Sequence, residues 1–319
     1  MTTEVTTPET PAPAPAPEQK KSPLAKGRDF LRAAWHELRA MMWVLLAVLV
    51  FHSFVAKPFY IPSESMMPVL LEGDRLVVSK YPYGYSHVSP TIPNPAAIAR
   101  NIFGDGPAEP WNITLPRMEG RLFGSVPERG DIVIVTPPGR DEDYIKRVIG
   151  LPGDTIAMTG GRLVINGVAV DIERRPEAMI PVDPNAPCGL REFAGHKVRA
   201  EDGSLYCRLP IIRETLPNGV SYDTIDLYAN GVADEFDPIT IPEDHLWLMG
   251  DNRDRSSDSR FALIEGGLGG PVPIENIGGR AEIITFSLDG SASLNPLTWW
   301  QSLRDGRSWV SLGSDTETE

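Results

Sequence analysis

A chain of 319 residues, 41% hydrophobic and 23% charged, can bury a full core as one large domain or two smaller ones. Its formal charge of −13 disfavours a nucleic-acid partner, whose phosphates want a basic stripe. The 31 prolines and 29 glycines favour strands and loops over a helical architecture. The charge is uneven: residues 1–56 carry six Lys/Arg and five Asp/Glu, a net of +1, which leaves 24 and 38, a net of −14, for the rest.

Residues 1–27, with a Pro-Ala repeat and few large apolar side chains, read as a disordered tail. A helical pattern begins at Arg28, and Met41 to Ala56 (MMWVLLAVLVFHSFVA) holds no formal charge. These sixteen residues are short against the roughly 20 that span a bilayer, but apolar neighbours on both sides extend them. A buried core helix is the plain alternative. Six Lys/Arg precede the run, which places the amino terminus in the cytoplasm and exports everything after Ala56. The leader is too long for a cleaved signal peptide, so residues 28–57 read as an uncleaved anchor.

Beyond it, short β-rich runs alternate with turns. Arg75 to Val78, Asp131 to Val135, His245 to Met249 and Arg280 to Phe286 read as strands. Thr155 to Val170 reads as a meander turning at Gly160-Gly161 and Asn166-Gly167. Residues 89–116 and 171–238, rich in proline and polar groups, read as long insertions in a domain spanning 58–298, and 299–319 as a tail. Trp299, Trp300 and Trp309 there suit either a membrane interface or ordinary packing. Cys188 and Cys207 lack zinc spacing; an extracytoplasmic location would favour a disulfide between them over two buried thiols.

The stretch IPSESMMPVL (Ile61 to Leu70) sets Ser63 and Ser65 between two prolines. A serine nucleophile needs a base. None of the five histidines has a supporting motif, although a Ser-His-Asp triad stays possible. Lysine is the other partner. In DYIKRVIGLPGD (Asp143 to Asp154), strand alternation puts Lys146 between Tyr144 and Val148, with Arg147 on the opposite face. Apolar neighbours would desolvate that amine and lower its pKa from about 10.4. Alone, Lys146 also reads as an ordinary strand lysine. GDNRDRSSDSR (Gly250 to Arg260) fails the calcium-loop pattern, because Arg253 and Arg255 occupy ligand positions and Ala262 stands where a glutamate is required.

PSESMMP, YIKRVIGLPGD and MGDNRDRSSDSR, in that order after an anchor, resemble bacterial type I signal peptidase, or leader peptidase, over Pro58 to about Ser287. The resemblance implies a mainly β fold, a complex antiparallel sheet with one amino-terminal transmembrane helix. It implies a serine endopeptidase that removes signal peptides from exported preproteins after small residues at −1 and −3. Ser65 matches the nucleophile and Lys146 its general base. Ser63 matches the hydroxyl that joins the Ser65 N–H in the oxyanion hole, and Ser256 the hydroxyl that orients the amine. Asp258 and Arg260 match a structural ion pair. Phe59, Ile61, Tyr144 and Ile145 match the substrate-pocket walls. Glu64 departs from a common glycine and Val69 from a common threonine. Glu64 is expected to point away, because Ser63 and Ser65 share the opposite face of an extended segment.

Neither a metal nor an organic cofactor is implied. The expected partners are signal peptides, the lipid bilayer and the export translocon, on the outer face of a bacterial inner membrane. Ser65 lies nine residues past Ala56, so an extended chain holds it within about 30 Å of the membrane's edge, where Met66, Met67 and Phe59 would pack against or dip into the surface. The rivals are a specialised conjugation-type maturation peptidase, a self-cleaving repressor on a related fold, and a non-enzymatic envelope chaperone.

Overall fold

The computed structural model describes residues 23–94, 96, 112–113, 115–189, 191, 193–228, 231–292 and 296–313. The Pro-Ala segment 1–22 lies outside them, as do most of 95–114. The chain divides into two compact units, residues 1–48 and 49–319. Helix α1 (Pro23–Phe54) opens on a proline at its first position, where a missing N–H is no loss. It therefore starts inside the segment read as tail. Its stretch Phe30–Phe54, 25 residues at mean hydropathy 1.5, is long and apolar enough to cross a membrane. Trp43 and Leu45 in it are more than half exposed, an arrangement that suits lipid better than water.

From Ala56 the chain forms antiparallel strands. In chain order they are β1 (Ala56–Tyr60), β2 (Asp74–Ser79), β3 (Ile92–Pro93), β4 (Asn112–Ile113), β5 (Ile132–Val135), β6 (Tyr144–Gly150), β7 (Thr155–Thr159), β8 (Arg162–Ile165) and β9 (Val168–Ala169). Then follow β10 (Asp171–Pro181), β11 (Lys197–Arg199), β12 (Leu205–Thr215), β13 (Ser221–Thr224), β14 (Phe236–Thr240), β15 (His245–Met249), β16 (Val272–Pro273), β17 (Ile277–Ser287) and β18 (Val310–Ser311). The main sheet runs β1-β2-β17-β5-β6-β15-β16, with β18 also on β17. A second sheet is β14-β7-β8-β9, and a third is β10-β12-β11 with β13 on β12.

Both meander turns fall where the sequence places them. Gly160-Gly161 and Asn166-Gly167 all have positive φ, as the tight hairpin turn demands. In the main sheet β5 and β6 are buried on both faces. The core beside them gathers Ile61, Met66, Leu70, Leu76, Ile132 and Ile145.

One expectation is corrected by the burial of the two methionines. Met66 and Met67 do not face a membrane: they are 0% and 4% exposed, Met66 in that core and Met67 in a separate cluster with Phe193 and the two cysteines. Truncating Met66 to alanine should cost about 2–5 kcal/mol. The region 171–238, read as a long insertion, contains the long β10–β12 hairpin, paired from Asp171↔Thr215 to Pro181↔Tyr206. Cys188 and Cys207 are disulfide-bonded beside it. The end of the chain is stapled back: Arg304 pairs with Asp183 at 2.8 Å and donates to the Glu72 carbonyl at 2.6 Å, while Arg307 donates to the Val69 carbonyl at 2.9 Å. Trp299, Trp300 and Trp309 are all more than half exposed.

Candidate active site

Ser65 sits in a 3₁₀ turn, Glu64–Met66, entered through an extended Ser63. The turn is clamped from one side by Asn252, which is fully buried. The Asn252 N–H donates to the Ser65 carbonyl at 3.1 Å, and its side-chain amide donates to the Glu64 carbonyl at 3.2 Å. Gly250 is needed for this approach, because a Cβ there would lie 2.5 Å from the Ser65 carbonyl oxygen and 2.2 Å from Ser256 Oγ.

β6 presents Lys146 to this turn from the interior of the main sheet, paired with Val133 of β5. Its amine donates to Ser65 Oγ at 3.0 Å and to the Ile145 carbonyl at 2.8 Å, and it lies 5.6 Å from the Tyr144 ring centroid. Lys146 is 3% exposed. Burial pushes the amine down to about 8, against the upward pull of Asp258 and Asp251 and with some help from Arg260. Ser63 Oγ donates to Ser65 Oγ at 3.4 Å. No histidine among the described residues hydrogen-bonds Ser65.

Asp258 and Arg260 pair at 2.9 Å with their side chains nearly inaccessible. Burial alone would raise the Asp258 carboxyl, but Arg260 and the N–H groups of Gly250 and Arg260 outweigh it and hold the pKa low. Arg260 also donates to the Arg253 carbonyl at 2.6 Å, which closes the loop on itself. Ser256 makes no hydrogen bond to the Lys146 amine through its hydroxyl. It is buried beside Gly250, but its hydroxyl makes no hydrogen bond, and the Lys146 amine is directed instead at Ser65 Oγ and the Ile145 carbonyl.

A cleft of about 760 Å³ opens over the pair, lined by Ser63, Ser65 and Lys146 and walled by Phe59, Tyr144 and Ile145. Ile61 is not one of its walls, being fully buried in the core below. Glu64 lines a separate cavity of about 260 Å³ together with Glu72. It thus faces away from the two serines, although through a 3₁₀ turn and not an extended segment. Among the described residues no cluster of His, Cys, Asp and Glu could hold a metal ion.

Besides Asp258–Arg260, two further ion pairs are buried around the site, and the sequence marks neither of them. Arg147, next to Lys146 but on the other face, grips Asp251 through two hydrogen bonds of 2.8 and 2.6 Å. Arg253 holds Glu214 of β12 at 2.6 Å, and the Tyr222 hydroxyl of β13 donates to the same carboxylate. GDNR is visible as a motif, but only the fold reveals that its arginine reaches into the third sheet.

A model of the family described as "Signal peptidase, peptidase S26" matches residues 34–286. The chain belongs to the signal peptidase family. Signal peptidase I of Rickettsia typhi is 32% identical over 273 residues, covering 83% of this chain and 83% of the relative. That of Rickettsia prowazekii is likewise 32% identical with the same coverage of both. The match to a solved signal peptidase I from Enterococcus faecalis is 25% identical and covers 49% of this chain and 97% of that one, at a TM-score of 0.25. As a signal peptidase, the protein is a serine endopeptidase of signal-peptide processing.

Proposed function

We propose that the chain is a membrane-anchored signal peptidase I working through a Ser65–Lys146 dyad, and that it cleaves preproteins after small residues at −1 and −3. The observation that carries the reading is the 3.0 Å contact from a desolvated lysine amine to Ser65 Oγ. A neutral amine accepts the Ser65 proton as Oγ attacks the scissile carbonyl carbon. The oxyanion forms beside the Ser65 N–H, one of the unpaired donors that any helical turn has at its start, and beside the Ser63 hydroxyl. Lys146 then returns the proton to the departing amine as the C–N bond breaks, leaving an ester on Ser65. A water molecule gives its proton to Lys146 as it attacks that ester; Lys146 passes the proton to Ser65 Oγ as the ester C–O bond breaks, and the signal peptide leaves as its carboxylic acid, which ionises in water.

Phe59, Tyr144 and Ile145 leave room for small side chains against an apolar wall. The apolar helix ends only eleven residues before Ser65, so a substrate held in the bilayer by its own hydrophobic segment meets the site at high effective concentration. Basic residues ahead of the uncharged run Met41–Ala56 favour a cytoplasmic amino terminus and an exported catalytic domain, and the Cys188–Cys207 bond suits an oxidising compartment. Lipid and the export translocon are the partners this placement implies.

The test is cleavage of a detergent-solubilised preprotein bearing an Ala-x-Ala site, with the new amino terminus sequenced. Wild type should cut after the second alanine, and Ser65→Ala and Lys146→Met should not. Equal cleavage by all three would overturn the proposal.

A further inference from the structure

The segment Met118–Val126 is held tightly and yet presents apolar side chains to solvent. Arg121 buries its guanidinium among four main-chain carbonyls: Tyr83 at 2.6 Å, Gly84 at 2.8 Å, Ile274 at 2.8 Å and Ile277 at 2.7 Å. Leu122 exchanges a pair of 2.8 Å backbone hydrogen bonds with Tyr85, and Ser125 donates to the Pro82 carbonyl. The two backbones touch only because Gly84 and Gly124 lack side chains. A Cβ on Gly84 would lie 1.7 Å from the Phe123 carbonyl oxygen, and one on Gly124 would lie 2.1 Å from the Tyr83 carbonyl group. Phe123 itself takes φ +51°, a conformation that costs a bulky residue free energy.

What this scaffold displays is Phe123, 85% exposed, with Leu122 at 64%, Met118 at 61% and Val126 at 49%. Fixing such a group in water gains nothing, so its partner is apolar. The place of the loop says which one. Tyr85, to which Leu122 is hydrogen-bonded, packs edge-on against Phe54 with ring centroids 5.3 Å apart, and its hydroxyl donates to the Phe54 carbonyl at 2.8 Å. Phe54 is the last residue of the apolar helix. Where that helix leaves a bilayer, the loop lies at the interface, with a tyrosine in the position favoured by interfacial aromatics.

We propose that Met118–Val126 is a second membrane contact, whose Leu122 and Phe123 enter the bilayer surface beside the end of the anchor. The inference rests on the anchored reading above. It gives the catalytic domain a second fixed point on the membrane, whereas the exit of one helix alone leaves it free to swivel.

The test uses the full chain in phosphatidylethanolamine/phosphatidylglycerol vesicles. Because both native cysteines are bonded, a single new one can carry a nitroxide. Labels go at Phe123→Cys, at Leu46→Cys in the helix and at Asp202→Cys in an exposed turn. Collision with lipid-soluble oxygen is compared with collision with an aqueous nickel chelate. The proposal expects positions 46 and 123 to favour oxygen and position 202 to favour nickel. Nickel access at 123 with oxygen access at 46 would overturn the loop contact and leave the anchor standing. Nickel access at 46 would remove the anchor, with position 123 still deciding the loop for itself. Shielding of 123 from both reagents would mean a protein neighbour and would also overturn the proposal.

As a functional arm, a Leu122→Ser/Phe123→Ser variant should lose roughly tenfold in cleavage of a vesicle-embedded preprotein, the loss of two partly buried apolar side chains. Cleavage of a short soluble peptide in detergent should be unchanged. An equal loss on both substrates would contradict the proposal.

Discussion

Lys146 on β6 and Lys80 just past β2 are both buried, and burial pushes each amine down to about 8. Their surroundings differ. Lys80 donates to the Ser89 carbonyl, is repelled by Lys57 and is partly compensated by Asp143. Lys146 meets a hydroxyl, at the end of a turn clamped by Asn252 and beneath an open cleft. A depressed amine alone therefore does not mark out the proposed base. What singles out Lys146 is a serine hydroxyl within hydrogen-bonding reach and a substrate-sized cavity above it.

That contrast can be broken at several points. The largest effect belongs to the dyad: Ser65→Ala and Lys146→Met should each lower kcat/KM by about 10⁴-fold or more, and the double variant should be hardly worse than either. Next comes Ser63→Ala, expected to cost about 10²–10³-fold in kcat with KM little changed, as for one oxyanion donor. If the loss appeared in KM alone, Ser63 would be a substrate-binding group and not a transition-state donor.

A third effect is on stability. Because the folded pKa of Lys146 lies below its unfolded value, the unfolded chain binds more protons between about 8 and 10.4, and the burial penalty is fully present below that window and fades as pH rises through it. Lys146→Met should therefore raise stability at pH 7 by on the order of 1–3 kcal/mol, with the gain shrinking towards pH 10. Urea unfolding at both pH values measures it, and a destabilised variant at pH 7 would contradict the desolvation account. The smallest effect is Lys80→Met, expected to leave kcat/KM within about threefold, since its amine bonds the Ser89 carbonyl and it does not line the cleft over Ser65.

Much of this arrangement is legible before folding, for reasons that differ by element. β6 declares itself through the apolar alternation of YIKRVIG, although its lysine taken alone also reads as one that reaches to solvent. The two hairpin turns declare themselves through paired residues that tolerate positive φ. β10 does not, because nearly all of its residues are solvent-exposed, so no alternation of apolar and polar residues marks it. Met66 and Met67 are misread for a related reason: residues just past an apolar helix look destined for lipid, but the 3₁₀ turn rotates both into the interior. Asp251 and Asn252 are visible as letters of a motif, but their partners Arg147, Ser65 and Glu64 lie far off in sequence and depend on the β6–β15 pairing.

The most direct test of the central claim is the pH dependence of kcat/KM on a preprotein, for wild type and Lys80→Met side by side. With Lys146 as the desolvated base, both profiles should rise on a common limb near pH 8. A limb near the free-lysine value of about 10.4, or one displaced in Lys80→Met, would contradict it.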